Sequence, residues 1–466
     1  MKAERLLKGG TILTPRGRFR AGIAIAGGKI AAVAEEALLP SSGEVVDISG
    51  AFLIPGIIDC HCHFRDMGLS YKGDFETETK AAAAGGVTFG MDMPNTVPPT
   101  TTAARFREKR EVAERKSVID FNLIAGATQD EEELRLMAQE GTMGFKVFMY
   151  RWRARAEEEG DAVLGELFFT EDAELLDIFG KVKKTGLPLL IHIHSQSILE
   201  SQQERLRGEG RRDVFSFMEP WISPEMRLGM RLAGQRVLAF ARHTGVRLHI
   251  CHGFLEVLDL VEAAKARGLP VTTCGGHIPI EYPQDLERLK ALVLQYPRPR
   301  EEIEEKLRAL ASGRIDCLAP DHSPHTREEK ERALKEDVWL TPTGMPKLQD
   351  HLPLLLTEVN NGKITLERLV ELGAENPARI FGLFPRKGTI QAGSDADLVV
   401  VDMEREKVIT QEEQFSRAGY TPYEGRKVKG LPVMTFVRGE VVMREGEILV
   451  EPGYGRFYGP LGHAWV

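Results

Sequence analysis

Short apolar runs bounded by glycine and proline alternate with longer amphipathic stretches through the middle of this chain. The first run, Ala51 to Ile58, precedes a segment from Asp74 through Lys80 and an alanine run that reads as a helix ending at Gly85-Gly86. Val87 to Met93, Ile119 to Ala125, Gly144 to Met149, Pro188 to Ile193, Val246 to Cys251, Pro270 to Cys274 and Ile315 to Ala319 read as further strands. Helical patterns fill the intervals, among them Asp130 to Gln139, Glu171 to Lys184, Glu225 to Thr244, Leu255 to Arg267 and Glu301 to Ser312. Strand–helix alternation predicts a parallel sheet with crossover helices. Counted with the first run the strands number eight, as a closed (β/α)8 barrel requires.

The two ends of the chain carry a different pattern. Residues 2 to about 50 are Gly-punctuated alternating segments such as Gly22 to Ala26 and Lys29 to Val33, which predict short strands and hairpins. After Leu366 to Leu372, a predicted last helix, alternation returns in Ala396 to Val401 and Pro432 to Val437. The fold class is therefore α/β: a TIM-like (β/α)8 barrel with a small β-sandwich domain built from the N- and C-terminal segments. The expected boundaries are 1–54 and 385–466 for the sandwich and C-terminal tail, and 55–384 for the barrel. The mixed-charge stretch Arg151 to Gly160 follows the fourth strand and reads as a solvated loop or a mobile cover over the barrel mouth.

Composition narrows the function classes. A formal charge of −8 over 466 residues argues against a nucleic-acid partner, which calls for a basic stripe. No apolar run approaches the roughly 20 residues that span a bilayer, and the N-terminus has no secretory apolar core, so the expected location is cytoplasmic. The five cysteines, Cys60, Cys62, Cys251, Cys274 and Cys317, lie in or at the ends of apolar strands, and an odd number does not suit a disulfide framework. A thiolate metal site at Cys60 and Cys62 is one reading. Strand alternation, which sets them opposite the neighbouring histidines, favours buried packing residues instead.

The candidate chemistry lies at strand ends. Residues i and i+2 of a strand share a face, so His61 and His63 present two imidazoles to one point, as a metal site needs. Comparable clusters recur at Lys146, at His192 with His194, at His249 with His252, and at Asp321-His322. These are the C-terminal ends of strands one, four, five, six and eight, where the loops of such barrels build their active sites.

Several motifs together give the chain a family resemblance. They are Pro55-Gly56-x-x-Asp59-x-His61-x-His63, Gly144 to Met149, His252-Gly253, Ala319 to His325, Glu375 to Arg379, Gly382 to Gly388 and Gly393 to Leu398. With them the chain resembles the amidohydrolase superfamily, in its cyclic-amidase branch of dihydroorotases, hydantoinases and allantoinases. The resemblance implies a cofactor of two divalent metal ions, with zinc the favoured identity. It assigns His61, His63 and Asp321 to one ion and His192 and His252 to the other. It makes Lys146 a carbamate, carboxylated by carbon dioxide, that bridges both. His194 is the rival of His192, while His249 faces the other way and is expected to be structural. Asp321 would also shuttle the proton from water to the leaving nitrogen.

The implied reaction is the opening of a small cyclic amide or ureide, with dihydroorotate to N-carbamoyl-aspartate favoured. Arg65 and the Met93-Pro94-Asn95-Thr96 stretch resemble the dihydroorotase pattern, in which arginine and asparagine hold a carboxylate. His277 and His325 join them as candidate substrate contacts, His325 with the alternative of bracing its loop. The Gly144 to Met149 and Gly419 to Gly425 stretches are closer to hydantoinases and allantoinases, and Tyr296 to Arg300 departs from the Asn-Pro-Pro-Leu-Arg segment of dihydroorotases. Hydantoinase, dihydropyrimidinase and allantoinase activities are therefore the alternatives, and an inactive scaffold subunit is the remote one. A homo-oligomer, dimer or tetramer, is expected.

Overall fold

The computed structural model describes residues 2–150, 165–276, 279–295 and 297–461. The candidate contact His277, the segment 151–160 and the Tyr296 position lie outside the described residues. Eight parallel strands form the barrel: Ile57–Cys62, Val87–Asp92, Asp120–Leu123 with its continuation Ala125–Gly126, Phe145–Phe148, Leu189–His192, Leu248–Ile250, Val271–Gly275 and Cys317–Leu318. The third strand pairs with the second through Asp120–Leu123 and with the fourth through Ala125–Gly126. The ring closes where Cys62 bridges to His322 and the His63 N–H donates to the His322 carbonyl at 2.8 Å. Helices such as Asp172–Thr185, Pro224–Thr244 and Arg300–Ser312 cover the outside.

The opening strand is divided rather than continuous. Phe52–Pro55 belongs to a seven-stranded sheet of the small domain, and the barrel begins at Ile57. Gly56 turns the chain between the two, and a Cβ there would collide with the Thr88 side chain, which is why the Pro-Gly step is needed. The seven-stranded sheet packs on a four-stranded sheet from residues 3–47 through Leu7, Ile23, Ile25, Leu53, Leu398 and Phe436, giving the β-sandwich.

Some helices carry no clear period in the sequence. Ala103–Lys116 is polar on nearly every face, and Val214–Ile222 and Leu348–Asn360 each hold an internal proline. Gln196–Gly208 and Arg327–Glu336 are also helical. The predicted last helix is Leu366–Val370, followed by a wide turn over Glu371–Glu375 and a short helix Asn376–Ile380.

Two apolar layers separate the barrel lumen from its jacket. The lumen holds Ile58, Cys60, Met91, Leu190, Cys274 and Cys317, while the strand–helix layer holds Phe64, Phe121, Phe145, Leu189 and Leu248. Cys60 and Cys62 fall in different layers, so strict alternation does not hold here. The pairing register of the first strand slips between Asp59 and Cys62, which turns Cys60 inward and Cys62 outward.

Candidate active site

Four imidazoles line up across the C-terminal mouth of the barrel. Ring centroids are 5.4 Å apart for His63 and His61, 4.8 Å for His61 and His252, and 4.5 Å for His252 and His192. Asp321 sits against this row. Its Oδ1 is 3.3 Å from His63 Nε2 and 3.6 Å from His61 Nε2, and its Oδ2 is 4.0 Å from His252 Nδ1. His252 Nε2 and His192 Nδ1 are 2.9 Å apart. His252 and Asp321 both adopt left-handed backbone, at φ 75° and 55°, a strained conformation for such residues that functional sites often retain.

The donor set fits divalent cations. Asn95 Oδ1 accepts from His63 Nδ1 at 2.7 Å, so the lone pair of His63 lies on Nε2, aimed at a carboxylate oxygen. Two acceptors facing each other across 3.3 Å leave a gap that a cation fills. His61 Nδ1 and His192 Nε2 are buried without a partner among the described residues. Burial drives the pKa of His61 and His192 far below the ordinary imidazole range, helped by neighbouring positive charge, and burial brings His252 down to about 3. All stay neutral at physiological pH, the form that binds metal. Burial raises the Asp321 carboxyl, but the charge of Lys347 leads the causes that outweigh it and hold the group well below its usual value.

Lys146 is fully buried on the fourth strand. Its Nζ lies 3.0 Å from Cys251 Sγ and 4.8 Å from the centre of the Phe148 ring, and no carboxylate pairs with it among the described residues. His194 is turned away from the row: its ring packs on Tyr150 at 4.8 Å and Trp221 at 5.2 Å. The imidazole that reaches His252 is that of His192. His249 is buried on the sixth strand, with Nδ1 2.8 Å from Thr272 Oγ1.

Arg65 and His325 meet beside His63. Arg65 Nη2 is 3.1 Å from His325 Nε2 and 2.7 Å from Ser323 Oγ, and its Nε donates to the Pro324 carbonyl. Asn95 reaches the same site through His63. His322 braces the loop: Nδ1 accepts the Lys347 N–H at 2.9 Å, leaving Nε2–H for Glu78 at 2.8 Å.

Further groups hold the site that no sequence pattern marked. Lys347 Nζ donates to the Pro320 and Asp321 carbonyls, Lys306 Nζ donates to the His252 carbonyl, and Gln295 Nε2 donates to Asp321 Oδ2. Burial pulls both lysines down to about 8. Nothing in the sequence ties them to Asp321 or His252: Lys306 stands among charged helix residues, between Glu305 and Leu307, and Lys347 follows Met345-Pro346.

The amidohydrolase family model matches residues 52–442. The chain belongs to the amidohydrolase family. This amidohydrolase is 34% identical over 462 residues to the L-hydantoinase of Paenarthrobacter aurescens, covering 97% of each chain. It is 36% identical over 420 residues to the dihydroorotase of Methanothermobacter thermautotrophicus, covering 89% of each, and 33% identical over 462 residues to the allantoinase of Deinococcus radiodurans, covering 97% of this chain and 98% of that one. Its fold superposes on the L-hydantoinase (dihydropyrimidinase) of Arthrobacter aurescens with a TM-score of 0.90 at 33% identity, over 98% of this chain and 99% of that chain. The matches place it among enzymes that hydrolyse C–N bonds. No helix among the described residues is long and apolar enough to cross a membrane.

Proposed function

We propose that this amidohydrolase opens a cyclic amide or ureide ring at a binuclear metal centre. The observation that carries the reading is the set His61, His63 and Asp321, three buried groups with donor atoms within 4.8 Å of one another and two acceptors face to face. In it, His61, His63 and Asp321 would hold one divalent ion and His192 and His252 the second, with Lys146, carboxylated to a carbamate, as a ligand shared by both. Zinc is the favoured ion, although imidazole and carboxylate ligands also accept manganese and cobalt. Two such ions, when bound, supply Lewis acidity toward the scissile carbonyl and the attacking water.

The chain's own residues do the rest. Asp321, fixed by Gln295 and by its left-handed backbone, takes the proton of the attacking water as oxygen adds to the carbonyl carbon. It returns that proton to the ring nitrogen as the C–N bond breaks. Asn95 fixes the tautomer and orientation of His63.

For the substrate, a ring bearing a carboxylate is favoured, dihydroorotate giving N-carbamoyl-aspartate. The support is the Arg65–His325 pair, both about 6% exposed and next to His63, where a guanidinium fork suits a carboxylate. A second reading is a hydantoin, dihydropyrimidine or allantoin. Its support is one part of a neighbouring pocket, Trp221, Met226, Met230 and Phe254, which suits an uncharged ring substituent, with His194, Arg227, Glu256 and Arg298 completing the lining. Steady-state hydrolysis of dihydroorotate, hydantoin, dihydrouracil and allantoin decides between them. Turnover of dihydroorotate at least tenfold above the others upholds the first reading. Preference for a neutral ring transfers the assignment to the second, and turnover of none refutes the ring-opening proposal on this panel.

A further inference from the structure

The barrel lumen below the histidine row is lined on one side by sulfur. Cys60 on the first strand, Cys251 after the sixth, Cys274 on the seventh and Cys317 on the eighth come from neighbouring positions in the ring. All are free thiols and all are buried. Cys60 Sγ and Cys317 Sγ are 3.7 Å apart, and Cys274 Sγ lies within 4.8 Å of both Cys60 Sγ and Cys251 Sγ. A ring nitrogen of His249 lies within 4.8 Å of Cys60 Sγ and Cys274 Sγ, which lie within the same distance of each other. His249 Nδ1 is engaged by Thr272, and Nε2, fully buried, has no partner among the described residues.

We propose that Cys60, Cys274 and His249 form a binding site for a soft monovalent cation of the Cu(I) class, with Cys317 alongside as a further donor. Two sulfurs at about 2.3 Å from one ion lie roughly 3.8 Å apart at a tetrahedral angle and about 4.6 Å apart when collinear, against a Cys60–Cys274 separation of no more than 4.8 Å. Thiolate with imidazole is a soft donor set, in contrast to the imidazole–carboxylate set above it. Binding is a simple exchange. Two S–H bonds break and two protons pass to the solvent buffer, while two metal–sulfur bonds and one metal–nitrogen bond form, with no electron transferred. Cys62 takes no part, because it faces the outer layer and donates to the Met91 carbonyl.

The test is anaerobic titration of the enzyme carrying its divalent ions with Cu(I) supplied as its bicinchoninate complex. It is read by native mass spectrometry and by X-ray absorption at the copper edge. The wild type and Cys62→Ser should each take up one copper per chain with sulfur and nitrogen neighbours, and the divalent ions should stay in place. Cys60→Ser with Cys274→Ser should lower the copper affinity at least a hundredfold, and His249→Gln should leave a sulfur-only shell. Undiminished copper in the double variant, a shell without sulfur, or loss of one divalent ion for each copper bound would overturn the proposal. The absorption spectrum of the wild type decides the matter even if the double variant does not fold.

Discussion

Lys146 lies in the barrel with no carboxylate beside it among the described residues. It is fully buried, and its neighbours are a thiol and an aromatic ring. An isolated buried cation costs several kcal/mol, whereas a carbamate between two dications turns the same position into an anionic ligand. Lys146→Ala should therefore lose at least one metal ion. Ring-opening activity should fall by more than the roughly 10–100-fold typical of removing an outer-shell partner, and a small carboxylic acid should restore part of it. Full metal content and activity in the variant would exclude the bridging role. Arg65 raises a separate question, because its guanidinium already bonds Ser323, Pro324 and His325. If it also grips a substrate carboxylate, Arg65→Met should cost about 2–5 kcal/mol in kcat/KM for dihydroorotate and much less for an uncharged ring. An equal loss for both classes of ring would make Arg65 a brace of the 323–325 loop.

At the scale of elements, the loop carrying Asp321 and His325 is anchored by the helix Arg327–Glu336. Thr326 and Glu329 form its capping box, and Glu329 also lies 3.0 Å from the Lys72 ammonium. Burial pushes the Glu329 carboxyl up, but nearby His325, the charge of Lys72 and the Thr326 N–H that donates to it hold it below the usual carboxylate range. A carboxyl depressed in the folded state stabilises the fold above its unfolded pKa of about 4.3 and loses that contribution as pH falls toward the folded value. Glu329→Gln should thus cost about 1–3 kcal/mol at pH 7, and unfolding curves should show the gap to wild type narrowing below about pH 4. A gap that widens on acidification would contradict this.

The strands themselves were legible because each is a short apolar run, and six candidate site residues, His61, His63, Lys146, His192, His252 and Asp321, could be placed at strand ends. What stayed hidden has physical causes. The slip at Asp59 to Cys62 is a pairing event between strands, absent from the local pattern. Lys306, Lys347 and Gln295 act on backbone carbonyls or one carboxylate oxygen, and every sequence offers such acceptors. His192 is preferred to His194 from the sequence alone; what the local pattern does not show is that the His194 ring packs on Tyr150 and Trp221.

At the scale of the molecule, the motifs near the end of the barrel serve the junction with the sandwich. Lys387 Nζ, fully buried, lies 2.7 Å from Asp120 of the third barrel strand, 3.2 Å from Asp395 and 2.5 Å from Asp397, and Arg438 also pairs with Asp120. The C-terminal tail adds to the joint, with Phe457 bridging to Phe121. Lys387→Met would strand buried carboxylates, at a cost of about 3–5 kcal/mol, visible as a lower denaturant midpoint; an unchanged midpoint would mean the cluster is not what joins the two parts. The Gly382 to Gly388 and Gly393 to Leu398 stretches, part of the family resemblance, thus have a structural role here.

The central claim is that ring opening depends on two metal ions held by the barrel mouth. Elemental analysis of enzyme purified without chelator, coupled to turnover of the ring panel before and after chelation and after return of zinc, tests it most directly. The account predicts about two divalent equivalents per chain, loss of turnover as they are removed, and recovery as they are restored. A fully active enzyme holding one ion or none would contradict it.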